Sequence, residues 1–193
     1  MRKAIIERKT KETTIKLELC LDGSGKSDVE IKGAGFLEHM FDLFCTHGNF
    51  DLNLRCDGDI QVDLHHSVED IGICLGKAIN EALGNKVGIK RYSSASIPMD
   101  EALSTATIDL SGRPFLVYNV DITGNTGDFE VELVEEFFRA VTTYGGITLH
   151  LNNTAGQNRH HIVESLFKAF ARSLDDACTI VSDKLPSSKG MLE

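Results

Sequence analysis

The chain has 193 residues, 41% hydrophobic and 25% charged, which fits one globular body able to bury a core without staples. Its 20 basic and 29 acidic side chains give a net charge of −9, the wrong sign for a protein that coats nucleic acid. No run approaches 18 consecutive apolar residues, so no membrane partner is expected.

In chain order, the opening MRKAIIERKTKETT turns charged within a few residues and reads as no secretory leader. KETTIKLELCLD (11–22) and SDVEIKG (27–33) read as strands, with Asp22-Gly23-Ser24-Gly25 as a hairpin turn between them. FLEHMFDLFCTHG is an amphipathic helix ended by Gly48, and Phe50, Leu52 and Leu54 alternate as a strand. A second helix, HHSVEDIGICLGKAI (65–79), carries Val68, Ile71, Leu75 and Ile79 on one face. GNKVGIKRYSS (84–94) is the one candidate boundary, and it is short. Beyond it the order recurs: SIPMDEALSTATIDL and RPFLVYNVDI as strands about a Ser111-Gly112-Arg113-Pro114 turn, and a helix ended by Gly145. A strand at Ile147, Leu149 and Leu151 and the helix HHIVESLFKAFARSL (160–174) complete it.

FLEHMFDLFCTHGNFDLNL lies on LVEEFFRAVTTYGGITLHL without a gap, offset by 97 residues, and the two His-His-x-x-Glu segments are offset by 95. The expected fold is therefore α+β: one strand-and-two-helix unit duplicated over about 1–90 and 91–193, the halves packed as a single sandwich-like domain. Cys20, Cys45, Cys56, Cys74 and Cys178 are odd in number, scattered and without a CxxC. They read as free thiols of a cytoplasmic protein.

The repeated His-His-x-x-Glu carries the chemistry. Residues i and i+4 share a helix face while i+1 points about 100° away. His65 and Glu69 can therefore grip one ion while His66 faces elsewhere; His160, Glu164 and His161 repeat the arrangement. The upstream helices add His39 and Glu136 at matched positions. Packed about a pseudo-twofold axis, the halves would yield His65, Glu69, His161 and Glu136 in one cluster. His160, Glu164, His66 and His39 would form the other. Imidazole and carboxylate without thiolate suit manganese, iron(II) or zinc.

RKTKET (8–13), GFLEHM (35–40), THG (46–48), HHSVEDIGICLG (65–76), DLSGRPFLVYN (109–119), LVEEFF (133–138), HHIVESLFKAFARSL (160–174) and PSSKG (186–190) together resemble the imidazoleglycerol-phosphate dehydratases of histidine biosynthesis. The resemblance covers nearly the whole chain. It implies two Mn2+ per active site, with Fe2+ or Zn2+ compatible with the donors. It also implies a 24-mer with sites at subunit contacts, and metal ligands at His39, His65, His66, Glu69, His160, His161 and Glu164. Glu136 stands where some members carry histidine, and Leu64 where others have Asp. Whether the clusters form within one chain or between chains is left open by the residues.

The implied reaction is loss of water from a small phosphorylated imidazole. Two ions on the ring nitrogens would hold it as an imidazolate able to expel the hydroxyl through a diazafulvene-like intermediate. The implied catalytic set is Glu12, as the carboxylate moving protons, with the metal-holding Glu69 and Glu164. His47, Arg91, Arg113, Lys168, Ser187, Ser188 and Lys189 match the family's substrate and phosphate contacts. Lys168 lies one turn beyond Glu164, so an i,i+4 ion pair is also expected. A two-metal hydrolase and a non-catalytic, metal-organised assembly are the alternatives, separated by release of inorganic phosphate and by the effect of Glu12→Gln.

Overall fold

The structure, a computed structural model, describes residues 1–192. The first half runs β1 (Lys3–Lys9), β2 (Thr13–Cys20), β3 (Ser27–Ile31), α1 (Gly35–Gly48), β4 (Asp51–Gly58) and α2 (His65–Leu83). The second runs β5 (Tyr92–Met99), β6 (Ala102–Asp109), β7 (Phe115–Asn119), the short pair β8 (Asn125–Thr126) and β9 (Phe129–Glu130), α3 (Leu133–Gly145), β10 (Thr148–Ala155) and α4 (Arg159–Cys178). The main sheets have matching orders, β1-β2-β4-β3 and β5-β6-β10-β7, each with its last-ordered strand parallel to its neighbour. The duplicated α+β fold read from the repeat is the fold observed.

Two details of the local reading are corrected. Each half opens with two strands that pair as an antiparallel hairpin, β1 with β2 and β5 with β6, where one strand was expected. β1 and β5 are edge strands with few buried positions, so their hydrophobic alternation is faint. The turns at 22–25 and 111–114 do not join paired strands, because β4 and β10 insert between the strands that flank them. A turn is a local signal; the strand that separates its arms arrives a helix later.

The helices fill the space between the sheets. α2 covers β1 and β2, α4 covers β5 and β6, and across the halves α2 packs on α3 while α1 packs on α4. α1–α4 contact is aromatic: Phe44 stacks on Phe170 at 5.9 Å, and Phe41 meets Phe137 of α3 edge-on at 5.8 Å. Each such buried ring is worth about 1.5–3 kcal/mol of transfer free energy. α2–α3 contact instead uses absent side chains. A Cβ on Gly72 would lie 2.7 Å from the Phe137 carbonyl oxygen, and one on Gly76 2.6 Å from that of Val141.

Helices α1 and α3 end in left-handed residues, Asn49 and Gly146, one position beyond the glycines picked from the pattern. All five cysteines are free and buried; burial pushes Cys45 and Cys178 up to about 12 and Cys56 and Cys74 up to about 11, so these thiols are inert. No helix among the described residues is long and apolar enough to cross a membrane.

Candidate metal centre

The histidine pairs stand at the heads of α2 and α4, and in each a side chain two residues earlier accepts from the amide of the first histidine, from the N-cap position in α4 and one residue before it in α2. The Asp63 carboxylate accepts from the His65 amide at 2.8 Å, and the Asn158 side chain from the His160 amide at 2.9 Å. This fixes where each first turn begins and therefore which way its imidazoles face.

At the head of α4, the ligating atoms of His39, His160 and Glu164 all lie within 4.8 Å of one another. His160 Nε2 is 3.2 Å and His39 Nε2 3.6 Å from Glu164 Oε2, and Phe36 packs its ring edge-on to His160 at 5.2 Å. Donors about 2.1 Å from an octahedral cation sit roughly 3 Å apart when adjacent and about 4.2 Å when opposite, so the three fit one ion. Burial pulls the Glu164 carboxyl up, but Lys168, 2.5 Å from Oε1, and His160 outweigh it and hold the group below its ordinary range. The i,i+4 ion pair read from the sequence is present.

The repeat-related site at α2 is more open. His65 Nε2 lies 3.8 Å from Glu69, with both side chains nearly half exposed. Glu136, on the helix packed against α2, pairs with Arg139 at 3.4 Å and does not close a three-group cluster with them.

The outlying histidines do not join these clusters within one chain. Neither His66 nor His161 completes the other half's set within the chain. Each is held in its own half: His66 Nδ1 lies 3.1 Å from both oxygens of Asp59, and His161 Nδ1 2.7 Å from Glu101. These carboxylates raise the two imidazoles above their ordinary range, and Glu101 itself is pushed down to about 2 by His161 and the Asn158 and Gln157 amides. A carboxylate on Nδ1 leaves Nε2 without a hydrogen bond among the described residues, 3.9 Å from Glu12 at His66 and 3.9 Å from Asp100 at His161, the arrangement that orients metal-binding histidines. Sequence reasoning missed Asp59 and Glu101. Glu101 lies sixty residues from His161, and its one signal was its place in a strand-connecting turn; Asp59 lies seven residues before His66, in the connection that leads into α2.

Glu12, in the β1–β2 turn, places its carboxylate 3.9 Å from His66 Nε2. The residues expected at phosphate fall into two groups. His47 faces Lys168 and Arg172 between α1 and α4, and burial together with those cations lowers its imidazole. Arg91 and Arg113 share Asp109, at 2.8 and 3.7 Å, beside the Ser187–Lys189 segment. The Arg91 backbone bonds to Ala177, at the far end of α4 from His160, roughly 25 Å away at 1.5 Å per residue. Lys168 stands nine residues before Ala177, about 14 Å along the helix, so the two groups sit at different levels of α4. Arg91 is buried, and its Nη1 donates to the Pro186 carbonyl at 2.8 Å. It anchors the root of Ser187-Ser188-Lys189 while two of its five N–H groups, one on each Nη, stay unbonded among the described residues. Within that segment the Lys189 amide donates to Ser187 Oγ at 3.2 Å.

By class this is a duplicated α+β protein whose repeat-related helices present histidine and carboxylate donors at their heads. The family model described as imidazoleglycerol-phosphate dehydratase matches residues 32–174. A dehydratase of that name from Thermodesulfovibrio yellowstonii is 56% identical over the full length of both chains, and one from Lactococcus lactis subsp. cremoris is 52% identical, again over all of both. The solved imidazoleglycerol-phosphate dehydratase of Staphylococcus aureus superposes with a TM-score of 0.83 at 38% identity, covering 93% of this chain and 99% of its own. That of Pyrococcus furiosus does so at 0.83 and 33%, covering 97% and 100%. The chain belongs to the imidazoleglycerol-phosphate dehydratase family, metal-dependent hydro-lyases of histidine biosynthesis.

Proposed function

We propose that this chain converts imidazole glycerol phosphate to imidazole acetol phosphate and water, in a cytoplasmic enzyme whose active sites lie between copies of the chain. The observation that carries the reading is the His39–His160–Glu164 cluster, with its repeat-related partner at His65 and Glu69. His39, His160 and Glu164 would hold one divalent cation; His65 and Glu69, with Glu136, would hold the second. Such ions, manganese(II) by family resemblance, supply Lewis acidity that favours the deprotonated imidazole ring.

The Nε2 atoms of His66 and His161 make no hydrogen bond among the described residues and are left for ions shared with neighbouring copies, in keeping with the 24-mer that the resemblance implies. With sites at subunit contacts, the phosphate is held by residues of more than one chain. Arg91, Arg113, Lys168 and the Ser187-Ser188-Lys189 segment provide its donors, with His47 at the substrate, and Arg91 also holds the Pro186 carbonyl at the root of that segment. The five buried free thiols fit a reducing compartment.

The deprotonated ring would expel the adjacent hydroxyl, which leaves as water with the proton given up by the ring nitrogen, to form a diazafulvene-like intermediate. Glu12 then takes the proton of the neighbouring carbon to give the enol and returns it to the ring-side carbon, giving the ketone. Its carboxylate accepts no hydrogen bond within 3.5 Å among the described residues and lies beside a candidate ligand, His66, so it is free to move a proton there. The test is metal analysis coupled to product assay on the purified chain. Glu12→Gln should keep its metal and bind substrate while losing about 100-fold or more in kcat. Release of inorganic phosphate by the unaltered chain, or full activity of Glu12→Gln, would overturn the proposal.

A further inference from the structure

Beneath Glu12 lies a polar network that the reaction does not use directly. Asp70, on α2, is buried at 6% exposure, one helical turn beyond His66 on the same face. One of its oxygens accepts from the Thr13 hydroxyl at 2.5 Å and the other from Arg8 at 2.8 Å. Thr13 is itself buried at 2%, and its amide donates to Thr10 Oγ1 at 2.9 Å, as does the Glu12 amide at 3.0 Å. The Glu12 carbonyl accepts from the Asp59 amide at 3.1 Å, on the residue that holds His66. The backbone on both sides of Glu12 is thus pinned, while its carboxylate is left unbonded.

The second half treats the corresponding position differently. Asp70 becomes Ser165, whose hydroxyl donates to Ser104 at 2.7 Å in a neutral contact. There the turn carboxylate, Glu101, is bound by His161 and two backbone amides and is not free. The charged clamp occurs in the half whose turn carboxylate is unbound. A buried ionic contact is costly to form, and it brings conformational specificity where it is kept.

We propose that Asp70, acting through the Thr13 hydroxyl and Arg8, is a positioning residue that holds the Glu12 turn against His66. The proposal rests on Glu12 moving the proton, and the test separates the two ideas. On the full chain loaded with manganese(II), Thr13→Val removes the hydroxyl at nearly constant shape, and Thr13→Ser keeps it. Misplacement of a reacting group by about 1 Å costs on the order of 100-fold. Thr13→Val should therefore lower kcat about tenfold or more, with KM within about twofold and metal content unchanged, and Thr13→Ser should restore most of the loss. In a Glu12→Gln background, Thr13→Val should cost nothing further, since the group it positions is gone. Undiminished kcat in Thr13→Val, loss of metal with activity, or the same fold-loss in the Glu12→Gln background would each overturn the positioning role. Should Glu12→Gln itself remain active, the reading of Glu12 falls first, and that result is distinguishable from the others. Asp70→Asn is the second variant and should show the same split between kcat and KM.

Discussion

The heads of α2 and α4 descend from one repeated unit, and they differ in how far each has been assembled. At α4 the carboxylate Glu164 is buried, with an exposure of 8%, and neutralised by Lys168; at α2 Glu69 is 49% exposed. The residue in the place of Lys168 is Ile73, buried in the core. A buried carboxylate needs a cation or several donors, and without Lys168 the α2 carboxylate stays in water. The upstream helices differ too, His39 joining the α4 cluster while Glu136 pairs with Arg139. Duplication therefore copied the ligand spacing and not the surroundings. One group of donors is drawn together within a single chain, and the repeat-related side chains stand apart.

The sharpest way to break this comparison is to titrate manganese(II) into chains dilute enough to dissociate any assembly. His160→Ala should weaken binding by at least about 100-fold, since loss of even an outer supporting group costs 10–100-fold. His65→Ala should have a much smaller effect under the same conditions, because its site lacks a third donor group. Equal losses from the two substitutions would mean that the α4 cluster is not preformed.

Helix packing offers the next test. Gly76 lets α2 approach α3 so closely that a Cβ would lie 2.6 Å from the Val141 carbonyl oxygen and 2.8 Å from the Gly145 nitrogen, both backbone atoms. Gly76→Ala should destabilise the chain by about 1–3 kcal/mol in denaturant unfolding, outweighing the roughly 1 kcal/mol by which alanine favours a helix. The repeat-related residue in α4 is already alanine, Ala171, so Ala171→Gly should also destabilise, by lost helix propensity and a lost buried methyl. A more stable Gly76→Ala chain would show that the two helix contacts are alike.

The features legible in the sequence were those with short periods. His65 and Glu69, or His160 and Glu164, are one turn apart, so any helix beginning at the pair must bring them together. The duplication, the amphipathic helices and the alternating central strands were readable for the same reason. Glu101 beside His161 was not, because strand order decides a contact across sixty residues, nor was Asp59 beside His66, because the path of the β4–α2 connection decides which carboxylate turns back to the ring. The separation of Arg91 from Lys168 was hidden for a similar reason. Both match the family's phosphate contacts, but Arg91 is bonded to Ala177 and Lys168 lies nine residues before it, about 14 Å along α4. Arg91 also shows that a cation in a family motif can be taken up by its own chain, here by Asp109 and Pro186.

The smallest expected effect concerns the outlying histidines, held by unlike carboxylates in the two halves. Glu101 lies at about 2 in the folded chain against 4.5 ordinarily, so its contribution is present above 4.5 and lost as pH falls toward 2. His161 is raised above 6.5, mainly by Glu101, with Asp100 and Glu164 adding to it, so its contribution is present below 6.5 and lost as pH rises through the folded value. Both contributions are therefore fully present between about pH 4.5 and 6.5. His66 is raised as well, but by Asp59 first and Glu12 after it. An NMR titration of the metal-free chain should show both imidazoles titrating above 6.5. Glu101→Gln should bring His161 back toward 6.5 and leave His66 where it was, whereas Asp59→Asn should do the reverse. If either substitution moved both histidines together, the two halves would share one electrostatic environment, and the independence of the helix heads argued from their geometry would fail.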